Sequence, residues 1–351
     1  PVRFFDAAAL EEQTPKLQNP SKTVFKEVGC HGVAEGAALA AAGKSGKLVI
    51  PKTKSKRATC AVAESAELID PQKTGKSQGT LFIVGTGPGS PKWRLPEAEE
   101  MLRNSNDWVG YGLYLDLIAD LYKNQFGKEQ RRLHRFELGQ EEKRVRHALN
   151  LAAQGKTVAL ISSGDPGIYA MATLVFEMLE STDAEPDQHS EWRRIRVVST
   201  PGITAMQAAG ALAGAPLGHD FCSISLSDLL TPWDTIKRRI IAAAKSDFVI
   251  AFYNPVSSKR INQLYEAQKI LLKHRSPDTP VIMAHNLGRN GERVNFVTLF
   301  NMDPSEADML TVIIVGSSQS KKIQLPNGVV RVYTPRGYHK KQETEKTLPV
   351  C

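Results

Sequence analysis

The sequence has few cysteines and few aromatic residues. Its four cysteines are scattered through 351 residues and form no CxxC pair. This distribution argues against a structural zinc site and a disulfide framework, and it fits a reducing cytoplasm. Aromatic residues make up 7% of the chain, and no recognisable nucleic-acid-binding motif occurs, which disfavours nucleic acid as a partner. We therefore expect no metal, no nucleic acid and a cytoplasmic location.

Long apolar runs and several common enzyme motifs are also absent. No run of about 18 apolar residues occurs, so we expect no transmembrane helix and no membrane partner. The start does not resemble a secretory signal, because Asp6, Glu11 and Glu12 interrupt its apolar residues. The sequence contains no GxSxG, HExxH or P-loop pattern, which disfavours serine hydrolases, zinc proteases and nucleoside triphosphatases.

Positive charge is what the chain has in excess. Forty-five Lys and Arg residues face 37 Asp and Glu residues, for a net charge of +8. Such a balance implies affinity for anions. A multiply carboxylated or phosphorylated small molecule explains the charge as well as nucleic acid does, and a solvated basic surface without function explains it equally well.

Composition divides the chain into a small first unit and a larger remainder. Residues 1–65 contain predicted helices at Ala7–Glu12 and Val33–Ala42 and two short strands, but few large apolar side chains, so their core must be thin. Residues 66–79 are polar, with Pro71, Gly75 and Gly79, and are predicted to be a linker.

From Thr80 onward, predicted strands and helices alternate, which is typical of an α/β fold. The second half carries closely spaced strands, so we expect two α/β subdomains, 80–216 and 217–338, the second with a mixed sheet. Residues 181–191 are predicted to form a surface loop, and residues 339–351 a tail.

The most informative stretch is Ile161–Tyr169. A short buried strand, Val158–Ile161, runs into small residues, an acid and a proline, and a helix is predicted from Ile168. A strand that ends in small residues exposes main chain at the edge where open α/β sheets bind ligands. In the alternative interpretation this is an ordinary turn in which Asp165 caps the helix.

Other strand ends repeat this pattern. Gly85, Gly87 and Gly89 follow a strand, but their spacing departs from the dinucleotide-binding fingerprint, so we interpret them as allowing a flat ligand to approach the backbone. The turn Thr200–Ala205 has the same small, rigid character, and Phe252–Pro255 ends a strand with an aromatic ring and an amide. His219 stands beside Asp220, a neighbour pair that is more often structural than catalytic.

Together these turns resemble those of the tetrapyrrole methyltransferases, in the same order along the chain. The resemblance extends from about Thr80 to Tyr338 and rests on Phe82–Gly89, Ser162–Tyr169, Pro201–Ala205, Pro216–Phe221 and Phe252–Pro255. The segment Ile224–Trp233 makes the chain most similar to the members that methylate C17 of precorrin-3B and contract the ring. Separately, residues 21–63 resemble the latter half of the carboxyl-terminal domain of a cobalamin-pathway protein that opens a lactone.

The resemblance implies two α/β subdomains with S-adenosylmethionine in a crevice between them, plus a small N-terminal α/β fragment. By motif match, the cofactor site would be lined by Pro88, Ser163, Gly164, Asp165, Ile168, Thr204 and Ala205, and completed by Tyr253, Asn254 and Leu287. Gly85, Gly87, Tyr111 and Tyr114 would face a polycarboxylate tetrapyrrole. His219 and Asp228 are candidates for the acid–base group that ring contraction requires.

Some alternatives stay open at this point. The implied reaction takes precorrin-3B to precorrin-4, and a close variant uses the cobalt-containing substrate of the anaerobic route. A third possibility, from another class, is a non-catalytic tetrapyrrole carrier. The resemblance also implies a homodimer and transient contacts with other enzymes of the pathway. Ser90, where relatives often have an acid, and Leu95–Ala98 depart from the family pattern on the substrate side.

Overall fold

A computed structural model describes residues 2–123, 131–181, 190–257 and 260–338. Most of the loop predicted at residues 181–191, and the whole tail predicted at residues 339–351, lie outside these ranges.

The N-terminal unit contains three helices and a hairpin. Its elements are β1 (Arg3–Phe4), α1 (Ala7–Glu11), α2 (Lys22–Val28), α3 (Val33–Ala42), β2 (Lys47–Lys54), β3 (Thr59–Glu64) and β4 (Lys76–Ser77). Strands β2 and β3 pair antiparallel, and α3 packs on them. The buried apolar side chains are small or few (Leu10, Cys30, Leu39 and Ala42), as the sequence predicts. Strand β4 lies within the predicted linker and pairs antiparallel with β1.

The next unit is a five-stranded parallel sheet with helices on both faces. Its elements are β5 (Thr80–Gly85), α4 (Pro96–Arg103), β6 (Asp107–Tyr111), α5 (Gly112–Asp116), α6 (Asp120–Lys123), β7 (Arg132–Phe136), α7 (Glu141–Ala153), β8 (Thr157–Ser162), α8 (Met171–Glu180) and β9 (Arg196–Thr200). The strand order is β7-β6-β8-β5-β9, and every pairing is parallel. Because both faces are covered, the central strands are continuous apolar runs.

One helix begins later than the sequence predicts. Helix α8 begins at Met171, not at Ile168. Tyr169 lies in the left-handed region with φ 52°, and Ala170, the N-cap, is extended. A left-handed residue cannot continue into a right-handed helix, so the turn is three residues longer than expected.

The remaining unit is a mixed sheet, as predicted. Its elements are α9 (Ala205–Ala213), β10 (Gly214–Ala215), β11 (Phe221–Ser225), α10 (Trp233–Lys245), β12 (Val249–Tyr253), α11 (Gln263–Leu272), β13 (Pro280–His285), β14 (Arg293–Thr298), β15 (Thr311–Val315), β16 (Lys321–Gln324) and β17 (Val330–Tyr333). The main sheet has the order β11-β12-β15-β13-β14. Strands β11 and β12 are parallel, and the other pairings are antiparallel.

The direction of these strands decides where their ends meet. Strands β11, β12 and β13 run the same way, because β12 and β13 are both antiparallel to β15. Their carboxyl ends therefore share one edge of the sheet. Helices α10 and α11 cover one face of the sheet. Helix α9 covers the other face and follows directly from β9 of the parallel sheet.

Candidate functional site

Three turns meet at the carboxyl edge of the parallel sheet, and main-chain hydrogen bonds hold two of them together. The N–H of Gly87 donates to the carbonyl oxygen of Gly164 at 3.2 Å, and the N–H of Gly164 donates back to Gly87 at 2.8 Å. The N–H of Thr86 donates to the carbonyl oxygen of Ser162 at 3.0 Å. The turns after β5 and β8 are thus one continuous main-chain structure.

Glycines are required in these turns because the turns pack against one another. A Cβ on Gly85 would lie 2.7 Å from Cδ of Pro166 and 2.8 Å from the oxygen of Gly164. A Cβ on Gly202 would overlap the same oxygen. At Gly87 the backbone is left-handed, with φ 73°, and a Cβ would lie 2.7 Å from the carbonyl oxygen of Trp93. The close approach that we expected of a ligand is made here by the protein's own main chain, and the substrate contacts of Gly85 and Gly87 stay predictions.

Asp165 links the turn after β8 to the turn after β9 by hydrogen bonds. Its Oδ1 accepts the N–H of Gly167 at 2.7 Å, and its Oδ2 accepts the N–H of Gly202, after β9, at 3.0 Å. The interpretation of Asp165 as a helix cap is wrong, because the N-cap of α8 is Ala170. The carboxylate instead positions main chain on both sides of the turn.

Tyr253, at the end of β12, joins the mixed sheet to the third turn. Its hydroxyl is hydrogen-bonded to Oγ1 of Thr204 and accepts the N–H of Met206 at 3.0 Å. Thr204 is the N-cap of α9 and forms a capping box with Gln207. Burial raises the pKa of the Tyr253 phenol, so it stays protonated at neutral pH. The exposed ring of Tyr169 lies 5.2 Å from the Tyr253 ring, tilted by 51°.

The carboxyl edge of the mixed sheet brings two more predicted residues, Asn254 and Leu287, to the junction where Tyr253 contacts the third turn. Asn254 and Asn286, which follow β12 and β13, both have left-handed backbones with φ 50° and 48°. Nδ2 of Asn254 donates to Oγ of Ser225, at the end of β11, at 3.0 Å. Leu287 is buried and packs in the cluster that also contains Tyr253.

Arg289 also contributes to this junction, although the motifs did not indicate it. From the loop between β13 and β14, its Nε donates to the carbonyl oxygen of Pro88 at 2.9 Å. Its Nη2 donates to Oγ of Ser163 at 3.0 Å. Two predicted cofactor residues are thus linked by one side chain from the other sheet. The only sequence signal is a basic residue shortly after a strand end, in a chain with excess positive charge.

Tyr111 and Tyr114 lie at the carboxyl end of β6 and on α5, at the same edge of the parallel sheet. Their rings make an edge-to-face contact at 5.2 Å. Burial raises the pKa of Tyr114, and the positive charges of Arg289 and Arg144 oppose that rise. Arg144 lies on α7 and is itself buried, so two cations and two phenols share this part of the molecule.

The two acid–base candidates lie apart. His219 is half-exposed and precedes the amino end of β11, where its Nδ1 accepts the N–H of Asp220 at 2.8 Å. Asp228 follows the carboxyl end of the same strand and accepts a hydrogen bond from Nε2 of Gln263 at 2.8 Å. A five-residue strand spans about 16 Å, so the structure does not bring these two side chains together.

The described ranges contain neither a metal-binding cluster nor a membrane-spanning helix. Within them, no three His, Cys, Asp or Glu side chains are grouped so that they could hold a metal ion. No helix in the same ranges has the length and apolar character needed to cross a bilayer.

The small N-terminal unit matches a family model of its own. Residues 1–63 match the family described as "Cobalamin synthesis G C-terminus". This agrees with the resemblance found in residues 21–63 of the sequence.

Two relatives extend across the larger part of the chain. A precorrin-3B C(17)-methyltransferase of Sinorhizobium sp is 42% identical over 262 residues, which are 74% of this chain and 97% of the relative. A cobalt-factor III methyltransferase of Priestia megaterium is 42% identical over 270 residues. That second match covers 77% of this chain and 47% of the relative, so the chain spans about half of its length.

Solved structures agree with this match. The crystal structure of the methyltransferase CobJ is 37% identical, with a TM-score of 0.65, and the match covers 74% of this chain and all of that one. The cobalt precorrin-4 methyltransferase CbiF, 22% identical with a TM-score of 0.51, shares the fold. Residues 80–303 match the family model "Tetrapyrrole (Corrin/Porphyrin) Methylases". The chain belongs to this tetrapyrrole methylase family.

Proposed function

We propose that the protein methylates C17 of precorrin-3B, with contraction of the ring to give precorrin-4. As a member of its family it is a methyltransferase that uses S-adenosylmethionine. The precorrin substrate is inferred from the Sinorhizobium relative, which the chain matches over 97% of its length. The structural observation that carries the proposal is the convergence of strand ends from both sheets on one junction, linked by Tyr253 and Arg289.

The residues at this junction suit S-adenosylmethionine. The rings of Tyr169 and Tyr253 and the buried Leu287 offer apolar surface for a purine. Oγ of Ser162, at the end of β8, is buried without a hydrogen-bond partner among the described residues. Such an orphaned polar atom indicates a missing partner at this strand end. We propose that the ten residues assigned to the cofactor by motif match line its site.

The protein itself has to supply little covalent chemistry for methyl transfer. The cofactor supplies a methyl group on a positively charged sulfur, which already carries its leaving group. The chain has to align donor and acceptor and exclude water from between them. The main-chain pairing of Gly87 with Gly164, together with the bonds of Asp165 to Gly167 and Gly202, holds together the turns that would bind the donor.

Ring contraction also requires loss of a proton from an oxygen on C20, for which we propose Asp228. It follows the carboxyl end of β11, and Gln263 and Arg260 lie around it. Nη2 of Arg260 donates to the carbonyl oxygen of Asn254 at 2.7 Å, which connects this group to the junction. His219 is the weaker candidate, because it lies at the other end of the strand.

The metal-containing substrate is the second candidate, and the Priestia relative favours it. The experiment incubates the protein with S-adenosylmethionine and either precorrin-3B or cobalt-factor III, and measures product mass. A gain of one methyl with precorrin-3B alone supports the proposal, whereas a gain with cobalt-factor III alone selects the variant. The non-catalytic carrier predicts no methyl gain and no binding of S-adenosylhomocysteine in calorimetry.

We further propose that the protein is a cytoplasmic homodimer that makes transient contacts with other enzymes of the pathway. The scattered cysteines support a reducing compartment. Light scattering coupled to gel filtration measures the assembly state directly, and a monomeric mass at micromolar concentration would rule the dimer out.

A further inference from the structure

Two arginines, the buried Arg144 and the partly buried Arg289, lie near the same tyrosine, Tyr114. Arg144, on α7, donates from Nη2 to the carbonyl oxygen of Glu137 at 3.2 Å and from Nη1 to Sδ of Met171 at 3.7 Å. Its nearest carboxylate, Oε1 of Glu141, is 3.7 Å away and partly exposed. Its Nε is buried and has no partner among the described residues.

Arg289 reaches the same region from the mixed sheet. Its Nε and Nη2 bind Pro88 and Ser163, but its Nη1 is buried with no partner in the described part of the chain. Its stem lies against Gly89, where a Cβ would be 2.6 Å from Cγ of the arginine. The second glycine of the Gly-Pro-Gly turn therefore leaves room for this side chain.

Neither guanidinium is well neutralised by the protein. Within the described ranges, Arg289 forms no ion pair, and the one ion pair of Arg144 is long. Burial lowers the pKa of both side chains, which reflects the cost of keeping positive charge away from water. A buried donor without an acceptor is costly, and a carboxylate is the acceptor that best fits a guanidinium.

We propose that Arg289, together with Arg144 and Tyr114, binds a carboxylate side chain of the tetrapyrrole substrate. This inference rests on the proposed function and adds the residue that holds the macrocycle. Arg289 contacts the main chain of Pro88 and the side chain of Ser163, both assigned to the methyl donor. It is therefore a specificity-determining residue that sets the orientation of the macrocycle relative to the donor.

S-Adenosylmethionine also carries a carboxylate, so the test has to distinguish two sources of the same chemistry. Calorimetry with S-adenosylhomocysteine, which has the carboxylate, and methylthioadenosine, which lacks it, reports on the donor side. Fluorescence titration with uroporphyrin III, a stable polycarboxylate tetrapyrrole, and with its methyl ester reports on the macrocycle side. Both titrations use the full chain and are independent of turnover.

The variants are Arg289→Gln and Arg289→Lys, with Lys92→Gln as a matched control that removes one exposed positive charge near the same turn. Arg289→Gln is expected to weaken uroporphyrin III binding and raise KM for precorrin-3B by about tenfold or more. Binding of the methyl ester should change less than twofold, and any loss of S-adenosylhomocysteine affinity should be shared by methylthioadenosine, because both ligands need the turns that Arg289 links. Arg289→Lys should recover part of the loss, and Lys92→Gln should behave as wild type.

Two results overturn the proposal. One is unchanged uroporphyrin III affinity in a folded Arg289→Gln variant. The other is loss of S-adenosylhomocysteine affinity with methylthioadenosine affinity unchanged, which assigns the arginine to the donor. Failure of wild-type protein to methylate precorrin-3B would instead contradict the proposed function, and the uroporphyrin titration would still test the arginine.

Discussion

Asp165 satisfies two backbone N–H groups in different turns, so its removal tests how the turns are held. Asp165→Ala leaves the N–H groups of Gly167 and Gly202 without their acceptor. We expect a loss of about 2 kcal/mol in unfolding free energy and weaker binding of S-adenosylhomocysteine. Urea denaturation and calorimetry measure the two effects.

Asp165→Asn is the matched variant, because its amide keeps one acceptor oxygen and presents an N–H₂ group to the other turn. It should fall between wild type and alanine in stability. If Asp165→Ala changes neither quantity, the two hydrogen bonds have no role in shaping the site.

Tyr253 is the corresponding residue of the mixed sheet. Tyr253→Phe keeps the ring beside Tyr169 but removes the acceptor for Met206 N–H and the partner of Thr204. We expect a loss of about 1 kcal/mol in unfolding free energy and a severalfold weaker affinity for S-adenosylhomocysteine. Tyr265→Phe, on the exposed side of α11, is the control. Equal behaviour of the two variants would contradict this role.

At the scale of elements, the packing of turn on turn is the most sensitive feature. A Cβ on Gly202 overlaps the carbonyl oxygen of Gly164, and that oxygen belongs to main chain that is hydrogen-bonded to Gly87. Gly202→Ala is therefore expected to destabilise the protein by about 3 kcal/mol. Gly112→Ala is the control, because its Cβ would lie 3.6 Å from the nearest atom. Thermal unfolding of both variants checks the prediction, and similar midpoints would contradict it.

The sequence predicted the buried elements better than the edges. Strands β8 and β12 are continuous apolar runs, because both faces of their sheets are covered. Strand β7 was missed, since only Leu133 and Phe136 of its five residues are apolar and they do not alternate regularly with polar ones. The start of α8 was misplaced because nothing in the sequence showed that Tyr169 takes a left-handed backbone.

The candidate site shows the same division. The turns after β5, β8 and β9 were predicted to meet because the carboxyl ends of the strands of a parallel sheet share an edge. The turn after β12, in the other sheet, was added by the resemblance to the tetrapyrrole methyltransferases. The role of the glycines was not predictable, since a glycine that admits a ligand and one that admits neighbouring backbone look alike in sequence. Arg289 contacts Ser163 across 126 positions, and local patterns carry no information about such a contact. The assignments of the site residues stay predictions. The domain boundaries, including the one between residues 216 and 217, also stay predictions.

At the scale of the whole molecule, the N-terminal unit contacts the parallel-sheet unit through Gln78 and Phe4. Nε2 of Gln78 donates to the carbonyl oxygen of Arg194 at 3.1 Å. The guanidinium of Arg194 lies 5.6 Å from the centre of the Phe4 ring. Both contacts lie next to the amino ends of β5 and β9, whereas the turns of the candidate site follow the carboxyl ends of these strands. We therefore expect that a substitution that destabilises the N-terminal unit leaves the affinity for the cofactor unchanged.

Substitution of Glu35 offers a way to destabilise the N-terminal unit alone. Burial raises the pKa of its carboxyl, but the N–H groups of Lys52, Asn19 and Gln18 and the Asn19 amide outweigh burial and lower the pKa from 4.5 to about 2. Because the pKa in the folded protein is the lower one, the stabilisation is present above pH 4.5 and is lost as the pH falls toward 2. A pKa shift of this size corresponds to about 3 kcal/mol of unfolding free energy.

Glu35→Gln should remove this stabilisation at pH 7, and its difference from wild type should shrink as the pH falls below 4.5. Hydrogen exchange at pH 7 should show faster exchange in α3 and β2 of the variant and unchanged exchange in β5 and β8. Calorimetry should give the same affinity for S-adenosylhomocysteine. Glu27→Gln, at an exposed position of α2, is the control and should match wild type in both measurements. A weaker affinity in Glu35→Gln would show that the N-terminal unit supports the methyltransferase site, because the substitution touches that site only through the fold.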